Sequence, residues 1–198
     1  SGTLAANEVY VLAASGADTT ISGNADTLLS YPSPVHFNGD DAVCLLNGTD
    51  TIDVIGERWN DPGSGWSVGT GSTKDHTLVR KANVSGGETD WTKGVEQWDV
   101  YPDTEHSYLG STTSDCHPAQ PEACSDLFFS EYSEGGSGRG SNKYLEIYNP
   151  SSSSIDLSNY TVFYINNGGG DPSRNASFAL SGTLAANEVY VLAASGAD

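Results

Sequence analysis

The sequence predicts an all-β protein built as a two-sheet sandwich. Helical periodicity is almost absent, short β-rich runs recur between clusters of Gly, Asn, Asp, Ser and Pro, and 198 residues suffice to bury a sizeable core. In chain order the expected strands begin with EVYVLAA at 8–14, DAVCLLN at 41–47 and TIDVIGE at 51–57. The last two are separated by Gly48, Thr49 and Asp50, residues suited to a hairpin turn. TLVRKAN at 77–83 and EQWDVYP at 96–102 follow, the latter carrying Trp98 and Tyr101, which are expected to pack inward. Trp66, after a Gly-Ser-Gly turn, is expected at a rim. DLFFSEYSE at 126–134, KYLEIYN at 143–149, YTVFYIN at 160–166 and SFAL at 177–180 complete one set, and EVYVLAA returns at 188–194. Many short strands joined by Gly and Asn turns favour a sandwich over other β architectures.

That return is part of a longer duplication. SGTLAANEVYVLAASGAD occupies both 1–18 and 181–198 without a substitution, the mark of a tandem array with a period of 180 residues. Between the copies, 114–126 (SDCHPAQPEACSD) has two prolines and no large apolar side chain, so it reads as a linker. The expected organisation is therefore a circularly permuted window. Residues 1–113 form the C-terminal part of one sandwich, 114–126 the linker, and 127–198 the N-terminal part of the next. A sandwich has one slot for EVYVLAA, and a linker leading from a completed bead into the next needs no crossing. On that ground 127–180 are expected to complete the following repeat.

With 26 acidic and 8 basic residues the net charge is −18, which repels phosphate backbones and anionic membranes and argues against a nucleic-acid partner. No stretch approaches the ~20 apolar residues needed to cross a bilayer. Cys116 and Cys124 bracket a short polar loop of the kind a local disulfide closes in an oxidising compartment, which suggests export; a zinc site is the competing reading, with only His117 nearby. Cys44, inside the apolar run AVCLL, is expected in the core, with an intermolecular bridge as the alternative.

The segment LFFSEYSEGGSGRGSNKYLEIYNPSSSSIDLSNYTVFY resembles the opening of a bacterial lamin-tail domain. The positions that carry the likeness are Phe129, Ser130, Glu131 and Tyr132, then Asn142 to Pro150, then Asp156, Leu157, Ser158 and Tyr160. FNGDDAVCLLNGTDTIDVIGERWNDPGSGWSVGTGSTKDHTLVRK, with DWTKGVEQWDVYPDTEHSYLG, is similar to the family's later strands. The resemblance implies an immunoglobulin-like β-sandwich acting as a non-catalytic accessory module in exported proteins. Cys44 and the cysteine linker depart from the family's pattern.

The search for chemistry finds no catalytic signature. There is no Gly-Lys pair for a phosphate loop, no Gly-x-Ser-x-Gly elbow, and His36, His76, His106 and His117 lack the spacing of a zinc helix. The candidate calcium ligands are Asp40, Asp41 and Asp61, on turns where hard cations gather oxygens, although Asp also caps turns by itself. No other cofactor is expected. Candidate glycan acceptors are Asn47, Asn83, Asn159 and Asn175, with Asn47 and Asn175 nearest to turns.

These readings point to a non-catalytic structural protein, extracellular or at the cell surface. It would form a fibre, filament or adhesin of identical beads that associate with neighbouring repeats or subunits and engage a surface or glycan ligand. The alternative is a calcium- or glycan-binding accessory module of a secreted hydrolase.

Overall fold

The computed structural model describes residues 3–112, 126–135, 142–151, 153–169 and 172–181. The strands, in chain order, are β1 Thr3–Leu4, β2 Val9–Ala14, β3 Thr27–Leu29, β4 Ala42–Asn47, β5 Asp50–Ile55, β6 Ser67–Val68, β7 Gly71–Ser72, β8 His76–Arg80 and β9 Trp98–Pro102. They continue with β10 Phe128–Ser133, β11 Tyr144–Tyr148, β12 Ile155–Asp156, β13 Tyr160–Ile165 and β14 Ala176–Ala179, and two one-turn helices, α1 Thr19–Ser22 and α2 Trp91–Gly94, cap loops.

Two sheets face one another as an immunoglobulin-like sandwich. One has six strands in the order β3-β2-β11-β10-β8-β9, the other four in the order β14-β13-β4-β5. Neighbouring strands pair antiparallel except β2 and β3, where Leu12 lies beside Thr27 in parallel. Tyr10, Leu12, Phe129, Tyr132, Leu145 and Ile147 of the larger sheet pack with Val43, Leu45, Val54, Val162 and Tyr164 of the smaller. Alternation sends the intervening residues Val9, Val11 and Ala13 to the opposite face, where a second cluster forms with Ile21, Leu28, Leu109, Phe128, Tyr144 and Tyr148. The central strands β2, β10 and β11 are therefore buried along their whole length.

The outer face stays covered because Asp18 caps α1, its carboxylate accepting from the Thr20 and Ile21 amides, and so holds Ile21 down on the sheet. In β10 a bulge between Phe129 and Glu131 lets Phe129 and Tyr132, three apart, share the inner face. The β4–β5 hairpin pairs Asn47 with Asp50, so Asp50 belongs to the strand and the turn proper is Gly48-Thr49, with Gly48 at φ 60°. Cys44 is buried and carries a free thiol in the core.

The two halves of the chain meet within the same sandwich. β11 pairs with β2 from Tyr144↔Ala13 to Tyr148↔Val9, and β13 pairs with β4 from Tyr160↔Asn47 to Ile165↔Ala42. Asn142 and Asp18 exchange reciprocal hydrogen bonds at 2.9 Å, and buried Asn149 donates to the carbonyls of Leu4 and Ala5 at 2.7 and 2.8 Å. The one slot for EVYVLAA is thus filled by residues 9–14. Residues 144–148 and 160–165 thus pair with 1–113 of the same chain, whereas the sequence predicts that they complete a following repeat. The second copy at 188–194 and the linker cysteines Cys116 and Cys124 lie outside the described residues.

Candidate functional site

Of the motif residues, Ser130, Glu131, Tyr144 and Glu146 come together on the outer face of the six-stranded sheet. Glu131 and Glu146 stand opposite one another across β10 and β11, each almost wholly buried. Glu146 accepts from the Ser130 hydroxyl at 2.7 Å and from the Gly110 amide at 2.6 Å, and the Tyr144 hydroxyl donates to Glu131 at 2.5 Å. His106 packs edge-on against Tyr144. Burial pushes Glu131 up to about 8, and burial together with the Glu131 charge raises Glu146 well above the usual carboxylate range. Nearby Asp26, which accepts from the Val11 amide at 2.6 Å, is pushed up by burial to about 7. This is a cluster of buried carboxyl groups, Glu146 being bonded to the Gly110 amide. Its groups tie strands and loops together, and none of them lines the clefts beside Asp40, Trp59 and Tyr31.

A second polar cluster ties the sheets to one another. Arg80 and Asp53, both buried, form an ion pair; Arg80 also donates to the Phe129 carbonyl and to Gln97 and lies over the Trp98 ring. Asp53 in turn accepts from the amides of Phe129, Val54 and Glu88. Lys143 and Glu134 make another buried pair at 2.8 Å.

The three aspartates proposed for calcium occupy different settings. Asp41 is spent on protein donors: one oxygen accepts from the Asn167 amide at 2.7 Å and Asn166 at 3.2 Å, the other from the Asn38 amide at 2.8 Å. Asp61 caps its own turn by accepting from the Gly63 amide. Asp40 borders a cleft of about 330 Å³ with Lys74 and Glu134, and burial, with the charge of Asp41, raises its pKa. Among the described residues no group of three or more His, Cys, Asp or Glu is placed to hold a metal ion.

The acceptor asparagines divide by exposure. Asn83 and Asn159 are exposed, whereas Asn47 donates to Asp126 and Tyr160, and Asn175 accepts from the Asn166 amide. Proximity to a turn thus selects the two whose side chains are already engaged.

The aromatic surface departs from expectation at one tryptophan. Trp98 is buried as expected, and Tyr101 is half-buried against Tyr108. Trp66, expected at a rim, is also buried, since Gly56 lets its ring approach the backbone so closely that a Cβ there would lie 2.5 Å from the indole. The exposed indole is Trp59, at 68 %. It borders a cleft of about 310 Å³ with Glu57, Arg58, Thr89, Asp90 and Thr92, floored by Trp91. A smaller cleft of about 210 Å³ lies beside Tyr31, His36 and Arg174. No sequence signal separated Trp59 from Trp66, because the cause is a glycine ten residues from Trp66.

An all-β sandwich whose described buried polar groups tie its strands and loops together is a structural or protein-interaction module of the immunoglobulin-like class. The family model described as Lamin Tail Domain matches residues 120–198, which supports a lamin-tail domain in this chain. No curated protein and no solved structure matches it.

Proposed function

We propose that the chain is a non-catalytic bead of an extracellular or cell-surface array, a fibre, filament or adhesin whose neighbouring units associate end to end. The observation that carries this reading is the unsubstituted copy of residues 1–18 at 181–198. The family match spans the linker and that copy, so in family order the run EVYVLAA at 188–194 follows residue 180. In this chain residues 9–14 fill the corresponding slot and pair with 144–148. Interchangeable units suit a length-giving structure, while a catalytic chain needs one site. The acid cluster supports the non-enzymatic reading, because its carboxyl groups are buried and bonded to the scaffold. The linker cysteines and the net charge of −18 favour export and solubility.

Negative-stain microscopy of the native material is the test. Beaded filaments with a regular repeat are expected. Discrete particles carrying a single bead beside an enzyme domain would overturn the array and support the accessory module of a secreted hydrolase.

A further inference from the structure

We propose that the cleft beside Trp59 is a binding site for a neutral carbohydrate, with a pyranose ring stacked on the exposed indole. This goes beyond the bead reading and holds whether or not the bead stands in an array.

The indole is a built platform. Trp59 takes φ 66°, a left-handed backbone that bulky residues rarely adopt and that is retained where the surroundings enforce it. What enforces it is the turn after β13. There Asn167, Gly168 and Gly169 all have positive φ, and the Asn167 amide is anchored to Asp41 at 2.7 Å. A Cβ on Gly168 would lie 2.0 Å from the Asn60 carbonyl oxygen, and one on Gly169 2.8 Å from the Trp59 ring. The two glycines therefore allow this turn to press against Trp59 and brace it, while 68 % of the residue stays open to solvent. An apolar ring of this size held in water at such a backbone cost has no role in the core.

Charge selects the ligand. The cleft is lined by one guanidinium, Arg58, and two carboxylates, Glu57 and Asp90. A cationic ligand would meet the guanidinium, and an anionic one would meet two carboxylates on a chain of net charge −18. A neutral ligand rich in hydroxyls uses both signs, since each hydroxyl donates to a carboxylate and accepts from a guanidinium. Arg58 and Glu57 are pre-oriented and retain capacity, Arg58 donating from one nitrogen to Thr51 at 3.0 Å and Glu57 accepting from Asn60 at 2.8 Å, while Asp90 is held by Thr92 through one oxygen and by Lys93 at 3.0 Å through the other. Thr89 adds an exposed side chain, and the Thr92 hydroxyl, which donates to Asp90, keeps its acceptor lone pairs. At about 310 Å³ the cleft sits at the lower end of the ~300–1,000 Å³ of ligand sites, fitting a short stretch of a sugar chain.

The test titrates the 198-residue chain with cellohexaose, xylohexaose, laminarihexaose and chitohexaose, and with hexalysine, following tryptophan fluorescence and calorimetry. At least one oligosaccharide is expected to bind in the millimolar range or tighter. Trp59→Gly, which suits a positive φ, should weaken that binding by about tenfold or more, and Trp59→Phe should retain part of it. Arg58→Gln tests the polar rim without touching the platform, and unchanged urea midpoints in all three variants establish that folding is intact. Absence of binding to all four oligosaccharides, binding that Trp59→Gly leaves unchanged, or tighter Trp59-dependent binding of hexalysine would overturn the proposal.

Discussion

Glu131 and Glu146 face each other across β10 and β11, two buried carboxyl groups on adjacent strands. The sign of their effect on stability follows from the direction of their pKa shifts. Glu131 is raised from 4.5 to about 8 and Asp26 from 3.8 to about 7, so the folded state holds protons that the unfolded chain releases. Stability is greatest below the unfolded values and is lost as pH rises through the folded ones. His36, lowered by burial, works the other way near neutrality but is a single group. The urea midpoint should therefore fall from about pH 5 to about pH 9, by a few kcal/mol at roughly 1.4 kcal/mol per unit of pKa difference. Glu131→Gln, which keeps an acceptor for Tyr144, should flatten the slope. A midpoint that rises over this range would contradict the assignment.

Asp53 and Arg80 predict a different signature, because each is the other's counter-charge in the core. Asp53→Ala strands the guanidinium, and removing one partner of a buried pair costs about 3–5 kcal/mol. Replacing both by apolar residues, as in Asp53→Leu with Arg80→Met, should recover a substantial part of that loss. Urea denaturation of the two single variants and the double variant gives the coupling. Single variants costing under about 1 kcal/mol would show that the pair is not desolvated.

Two glycines with positive φ should respond in opposite ways. Gly56, at φ 81°, lies against the Trp66 ring, so Gly56→Ala adds a clash to an unfavourable backbone and should cost about 2–4 kcal/mol. Gly48, at φ 60°, has nothing within 4 Å of an added Cβ, so Gly48→Asn should fall within about 1 kcal/mol of the parent. Thermal or urea midpoints read both. Equal penalties would mean that backbone conformation alone decides them.

Much of this fold is legible in local sequence, and the limits have definite causes. The runs at 8–14, 41–47, 51–57, 143–149 and 160–166 contain β2, β4, β5, β11 and β13, because β-branched and aromatic residues between turn formers suit a packed pleated surface. The two-residue strands and the parallel β3 carry too few residues for a period to show. Burial on both faces of β2 depends on α1 and on the segment reaching Gly110, contacts that no local pattern announces. The motif residues Glu131, Asn142, Glu146 and Asn149 were recognisable as a family signature, but their pairing with Tyr144, Asp18, Gly110 and Leu4 is long-range. Trp66 is buried rather than at its expected rim because its ring packs on Gly56, a contact that the residues around Trp66 do not announce.

Cysteine chemistry separates the core from the linker. Burial pushes the Cys44 thiol up to about 12, so it should resist thiol reagents until the domain unfolds. Peptide mapping of a non-reduced digest should return Cys44 as a free thiol and Cys116 bonded to Cys124. A bridge of that length contributes about 2–3 kcal/mol at most, chiefly by stiffening the linker. Free thiols at both linker positions would remove the bridge, and a bond to Cys44 would replace it.

The duplicated strand makes the sharpest prediction, because two identical segments compete for one slot. Tyr10 is wholly buried in β2 and its hydroxyl lies 2.8 Å from the Thr27 hydroxyl oxygen. In a chain ending at residue 180, Tyr10→Ala should cost about 3–5 kcal/mol, as for other large-to-small changes in a packed core. In the full chain the copy carrying Tyr190 is attached directly after residue 180, the connection that the family order uses. There Tyr10→Ala should cost little, since 188–194 can take the slot, and Tyr10→Ala with Tyr190→Ala should restore the full loss. By the same logic chains spanning 1–180 and 19–198 should unfold at similar urea midpoints, each holding one complete set of strands. If Tyr10→Ala is equally damaging in the short and full chains, the second copy does not substitute for the first. Closure through residues 9–14 is then fixed by the chain rather than shared along an array.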